Sequence, residues 1–257
     1  MLKYAMRIFF ILLTLLNFLF AYDKNFSYRK YNHVENFYKP LIKETVDIAL
    51  KYNLPPAAIL AIASVESGYG RGYVALITGN ILSLGANKDE KALPSVYLPN
   101  IKNPYKVLYN KVEIKKYKKS ELDWKQRPKS LKKDYRPQNI SGTTKDLDYF
   151  DFYKKRRKEA NLKNIEDFCS KWISLNNKFK VFKEARTLLN KKVKQHGKEI
   201  LFSKELNIEF INSIGGKKNS FNYRKSWPKK VTAVLNKTGL VKLSKDIYKN
   251  RDFNKVW

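Results

Sequence analysis

The chain has 257 residues and carries 53 Lys and Arg against 23 Asp and Glu, a formal net charge of +30. That length allows one domain with a real core, or one domain with large insertions. The charge predicts attraction to a polyanion, whether nucleic acid, an anionic membrane surface or an acidic wall polymer. The single cysteine, Cys169, excludes a disulfide within the chain.

At the N-terminus, Lys3 and Arg7 precede an apolar run from Ile8 to Tyr22, broken only at Thr14 and Asn17. A short basic segment before such a run reads as a secretory signal, and the run is short for a membrane span of about 20 residues. Ala21 can end a cleavage site, but Leu19 is large for the position two before it. A cleaved signal and a retained inner-membrane anchor therefore both stay open for residues 1–21. Either way the body is expected to be exported, to the periplasm or cell envelope, which argues against nucleic acid as the partner.

Residues 22–38 are polar and aromatic and read as a lead-in. A helix is expected from about Pro40, with Leu41, Val46, Ile48, Ala49 and Leu50 as its apolar side, broken at Asn53-Leu54-Pro55-Pro56. The next helix starts at the prolines and runs through Ile59, Leu60, Ile62 and Ala63 to Glu66. Its near-total apolarity predicts burial all round. Residues 73–100 read as loop or short strand along one side of a cleft. Residues 103–160 are dense in Lys, Arg, Tyr and Asp, with peaks at 115–119 and 154–158, and read as a basic, partly helical surface insertion.

Helical periodicity returns at Ile165, Phe168, Cys169, Trp172 and Ile173. Further helices are expected through Phe182, Ala185, Leu188, Leu189 and Val193, and from Leu206 to Ile214, ending at Gly215-Gly216. A last one runs from Pro228 through Val231, Val234 and Leu235 to Gly239. The fold class is therefore mainly α, a single domain with a less regular basic middle. Cys169 sits on an apolar stripe and is expected in the core. His33 and His196 are far apart in polar surroundings, and no His/Cys cluster has ligand spacing, so no metal or other cofactor is expected.

Glu66 is the carboxylate to explain. It ends an apolar helix and is followed by Gly68 and Gly70. The negative end of the helix dipole and the apolar neighbours Ile62, Ala63 and Val65 both favour a protonated carboxyl. That suits a general acid working near neutral pH.

The run Glu66-Ser67-Gly68-Tyr69-Gly70, led in by Pro55 to Ala61 and followed by Gly79-Asn80-Ile81-Leu82, resembles the bacterial glucosaminidase family, in particular its Bax-type, lysozyme-like members. Residues 165–176 with Phe182 to Arg186, and Phe221 to Val231 with Gly239-Leu240, are similar to its C-terminal part. The resemblance covers about 40–100 and 160–243, not the basic middle. It implies a lysozyme-like fold, hydrolysis of the β-1,4 glycan strand of peptidoglycan, typically after N-acetylglucosamine, and Glu66 as the general acid. This sequence departs from the family at Phe221 and Trp227, where the family has tyrosines, and at Ser83, where it has a large aromatic residue.

Glycan hydrolysis also needs help for water or for the sugar cation. Among Asp89, Glu90 and Glu113, Glu90 is the candidate second carboxylate. Assistance by the substrate's own N-acetyl group stays open beside it. Tyr223 is the candidate catalytic helper in place of the family's tyrosine. Tyr69, Tyr73, Asn80 and Trp227 are the candidate sugar-binding wall, since aromatic faces with polar edges suit sugar rings. Arg71 is expected on the surface. The expected function is thus a peptidoglycan-cleaving glycosidase acting on glycan strands. A lytic transglycosylase and a non-catalytic wall-binding or scaffold protein are its rivals.

Overall fold

The structure, a computed structural model, describes residues 26–101, 106–109, 111–140 and 149–257. The segment read as a secretory signal lies outside these. The helices are α1 Asn32–Tyr38, α2 Ile42–Lys51, α3 Pro56–Ser67, α4 Tyr73–Thr78, α5 Lys154–Asp167, α6 Lys180–His196, α7 Lys204–Ile214, α8 Trp227–Thr238 and α9 Leu240–Asn250. Single helical turns at Lys111–Ile114, Tyr149–Phe152 and Phe253–Val256 lie between or after them. One antiparallel sheet interrupts the helices, with strands β1 Val96–Ile101, β2 Lys106–Val107 and β3 Leu122–Arg127 in the order β2-β1-β3. Val96 faces Arg127 and Ile101 faces Leu122 across the longer ladder. The mainly α expectation holds, and the sheet is an addition to it.

The core is built around α3. Every residue of that helix except Val65 and Glu66 is buried, as its all-round apolarity predicted. It packs against α2, α7, α8 and α9, and its alanines at 57, 58, 61 and 63 keep its surface low enough for close approach. Each Ile or Leu removed from water there contributes about 1.5–3 kcal/mol. Pro56 opens the helix, and the orphan N–H of Ala58 donates to Asn207 Oδ1 of α7 at 2.8 Å. Gly68, at φ 56° and ψ 49°, closes it with a hydrogen bond to Ser64 O. Cys169 lies fully buried in the same core, on a π-helical turn, Phe168–Trp172, that continues α5.

Four segments differ from the sequence reading. The described part of the expected lead-in is built into the domain: α1 buries Val34, Phe37 and Tyr38, and Arg29 donates to the carbonyls of Thr238 and Val256. Residues 73–78, read within 73–100 as loop or short strand, form a helix stopped by Gly79 at φ +73°. Within the basic insertion, residues 130–135 thread as an extended chain between 84–86 and 91–93. Asp134 and Arg136 pair there with both side chains fully buried. Finally α9 follows α8 directly and buries Leu240, Leu243, Ser244 and Ile247. Among the described residues no helix is long and apolar enough to cross a membrane.

Candidate active site

Glu66 is the penultimate residue of α3 and the chain turns sharply after it. Gly68, Tyr69 and Gly70 are left-handed in succession, with φ of 56°, 57° and 73°. The left-handed region costs a non-glycine residue about 1–2 kcal/mol, and Tyr69 is held there by ring contacts with His33, Phe37 and Tyr38 at 5.3, 5.9 and 6.2 Å. Ser67 ties the turn down: its hydroxyl donates to Ala63 O and accepts from Gly70 N–H at 2.8 Å, while Gly72 N–H donates to Ser67 O at 2.7 Å.

Two donors from a distant part of the chain meet the Glu66 carboxyl. Trp227 Nε1–H donates to Oε1 at 2.7 Å, and Asn222 Nδ2 lies 3.4 Å from the same oxygen. Trp227 opens α8 and is 2% exposed. Its ring runs close over Gly215, where a Cβ would collide with it, so glycine is required there. Asn222 is fixed by its own backbone and side chain. Its carbonyl accepts from Gly216 N–H at 2.7 Å, and its Oδ1 accepts from Arg224 N–H at 3.2 Å, which turns Nδ2 towards Glu66. Both donors fall on Oε1, and Oε2 receives no hydrogen bond among the described residues.

Lys132 lies within electrostatic reach of Glu66. Its ammonium donates to the carbonyl of Ser83, a residue at φ 56°. Burial pushes the Lys132 pKa below the ordinary lysine value, and the charge of Glu66 pushes it back up. Side chains alternate along the extended segment, so the next residue, Lys133, turns away from Glu66 and bonds Glu90 at 2.5 Å and Asp167 at 2.6 Å. Glu66 is thus bonded by Trp227 and Asn222 and lies within electrostatic reach of Lys132.

The other candidates fall elsewhere. Glu90 is tied to Lys133 and Lys171 and receives Asn87 N–H. Burial raises its pKa, but the hydrogen bond and charge of Lys133, the Asn87 N–H and the charge of Lys171 together outweigh this and hold it below the usual glutamate value. It is an anion in an ion cluster, and it makes no contact with Glu66. Asp89 is exposed, and Glu113 pairs with Lys106. Tyr223 is 71% exposed and does not bond Glu66; the neighbouring Asn222 does. Tyr69 belongs to the aromatic cluster on α1. Tyr73 packs on Tyr109 at 5.8 Å, under Arg127, in a small second core with Ile77 and Leu98. Asn80 is buried, with its amide spent on Leu84, Lys133 and Asn164. Trp227 is the one member of the expected sugar wall at Glu66, and it is buried as a donor instead of presenting a ring face. Asn222 and Lys132 were missed: neither lies in a pattern that distinguishes it from its polar neighbours.

The fold and site together define a mainly α domain with one carboxyl, held by two donors, at the end of its central helix. No family model and no curated protein matches the chain. Among solved structures it is similar to the catalytic domain of the autolysin Auto from Listeria monocytogenes, with 14% identity, 82% of this chain and 88% of that chain covered, and a TM-score of 0.42. A likeness this distant carries no argument about the chemistry of this chain.

Proposed function

We propose that this protein is an exported glycosidase that cleaves the β-1,4 glycan strand of peptidoglycan, of the N-acetylglucosaminidase type, with Glu66 as general acid. The observation that carries the reading is the pair of donors on Glu66 Oε1, which fixes the carboxyl at the end of a buried helix and leaves Oε2 without a protein donor among the described residues. Oε2–H protonates the glycosidic oxygen as its bond to the anomeric carbon breaks. The carboxylate left behind keeps the Trp227 and Asn222 donors and has the Lys132 ammonium nearby, so its new charge meets donors already in place. The basic surface would hold the enzyme on an acidic wall, more weakly as salt rises.

A second reading, lytic transglycosylase, is favoured by the company Glu66 lacks. Neither Asp89, Glu90 nor Glu113 joins it, so no second carboxylate among these activates water. A hydroxyl of the sugar itself can attack the anomeric carbon, with the Glu66 carboxylate taking back the proton. Assistance by the N-acetyl group likewise needs no second carboxylate.

Peptidoglycan digested with the wild type and with Glu66→Gln separates these readings by mass spectrometry of the soluble muropeptides. Reducing ends support the hydrolase, and anhydro ends the transglycosylase. Loss of product in Glu66→Gln, with folding and wall binding kept, supports the acid role. A wild type that releases nothing at any salt or pH would leave a wall-binding scaffold and overturn the enzymatic reading.

A further inference from the structure

The turn at 69–71 forms part of the wall of a cavity of about 340 Å³, within the range of about 300–1,000 Å³ common for ligand pockets. The other walls come from α1, α4, the single turn Tyr149–Phe152 and α5. Neither Glu66 nor either residue bonded to it lines this cavity, which is therefore separate from the candidate active site.

Leu41, Ala75, Leu76 and Ile81 give the cavity an aliphatic wall. Such a wall suits an apolar side chain better than a sugar, which stacks on aromatic faces. Asn161 lines the cavity from α5 and is 7% exposed. Its Nδ2 donates to Gly79 O at 2.8 Å, while its Oδ1 accepts no hydrogen bond among the described residues. A ligand that donates to this oxygen fills a buried acceptor that the protein leaves open. The charges around the cavity are not balanced. Arg157 is matched by Asp151 at 2.7 Å. Burial and the charge of Arg71 both push the His33 pKa below its ordinary 6.5, so that imidazole is neutral at neutral pH. Arg71 spends its Nε on Gly68 O at 3.3 Å, and among the described residues no carboxylate pairs with its outer nitrogens. Those nitrogens form the fork that matches a carboxylate.

We propose that this cavity binds the free C-terminal end of a peptide. Arg71 takes the α-carboxylate, Asn161 Oδ1 accepts a backbone N–H, and the aliphatic wall takes the last side chain. A peptide end carries an anion, an N–H donor and an apolar group close together, which is the set the cavity asks for. The same chemistry is offered by the C-terminus of a protein, with an L-residue, and by a short peptide that ends in a D-residue. The proposal does not rest on the glycan reading of Glu66.

The test titrates N-acetyl-alanyl-leucine, with its last residue in the L or the D form, into the wild type, Arg71→Ala and Arg71→Glu by calorimetry. Arg71 is exposed, so both variants are expected to fold. Binding of either probe supports the site, and the preferred form tells a protein chain end from a D-ended peptide. Arg71→Ala is expected to weaken binding about 10-fold, the size of a lost hydrogen bond to a charged group, and Arg71→Glu further. Amidating the carboxylate of the probe, or methylating its last backbone nitrogen, is expected to weaken wild-type binding to a similar extent with the protein unchanged. Glu66→Gln is expected to bind the probes as the wild type does, so the result stands even if the catalytic reading fails. Absence of binding by both probes at millimolar concentration, or binding unchanged by amidation, by N-methylation or by loss of Arg71, would overturn the site.

Discussion

Replacing Trp227 by Phe distinguishes the role the structure gives this residue from the sugar-platform role its sequence position suggests. The substitution removes the Nε1–H bond to Glu66, 2.7 Å long, and about half of an indole that is 2% exposed. A hydrogen bond to an ionisable partner is worth about 1.5–3 kcal/mol. Glu66 is part-exposed, so water recovers some of that and about 1 kcal/mol is lost. The shrunken ring leaves a partial cavity against Gly215 and Phe221, costing about 1–2 kcal/mol more, well below the 3–5 of a full truncation to Ala. Stability by urea denaturation should therefore fall by about 2–3 kcal/mol. The carboxyl keeps only the longer bond to Asn222 and loses its fixed orientation, and misplacing a reacting group can cost about 10²-fold. Turnover of peptidoglycan should fall about 10- to 100-fold in kcat, with KM near the wild-type value, because the ring offers substrate no face. A raised KM with kcat intact would show that Trp227 stacks on sugar and would refute the positioning argument.

Two further outcomes follow from the surroundings of the site. Asn80→Ala should destabilise the fold by about 3–5 kcal/mol, since its buried amide bonds Leu84 twice and Lys133 and Asn164 once each, and each buried group left unpaired costs about 1–3 kcal/mol; a change in KM without a change in the urea midpoint would restore it to the sugar wall. Acid should unfold the protein through Glu90 and Asp167. Burial raises both pKa values, but Lys133 and Lys171 together, with the Asn87 N–H on Glu90, outweigh it and hold them below their ordinary 4.5 and 3.8. The stability they contribute is thus complete above about pH 4.5 and lost as pH falls through the lowered values; denaturation curves flat from pH 6 to 3 would contradict the ion cluster.

What the sequence made legible was what local rules control. The Pro56 start, the apolar run and the Gly68 stop mark α3 without ambiguity, and they place Glu66 at its end. The helices around 180–196, 204–214 and 227–238 follow from spacing in the same way. The chain at 130–135 was illegible for the opposite reason. Its partners are residues 84–86 and 91–93, some 40 positions earlier, and a stretch rich in Lys reads as solvated until those partners are known. The expected sugar wall is differently placed in the structure because an aromatic residue near a sharp turn satisfies a core contact as readily as a ligand contact. Tyr69 and Tyr73 both found ring partners within the protein.

The pairing at Glu66 also explains how the site accommodates a phenylalanine at 221. A tyrosine there could offer a hydroxyl; Phe221 offers none and packs between Phe168, Trp172 and Trp227 at 5.4, 6.1 and 5.7 Å. That packing sets the indole of Trp227, and the indole delivers the N–H to Oε1. Asn222, the next residue along, delivers the second donor to the same oxygen. Two donors on one oxygen do what one donor on each could not: they hold the carboxyl in place while leaving Oε2 unbonded by the described protein. A general acid needs that arrangement, because the oxygen that gives up its proton must face the leaving group and not a protein donor.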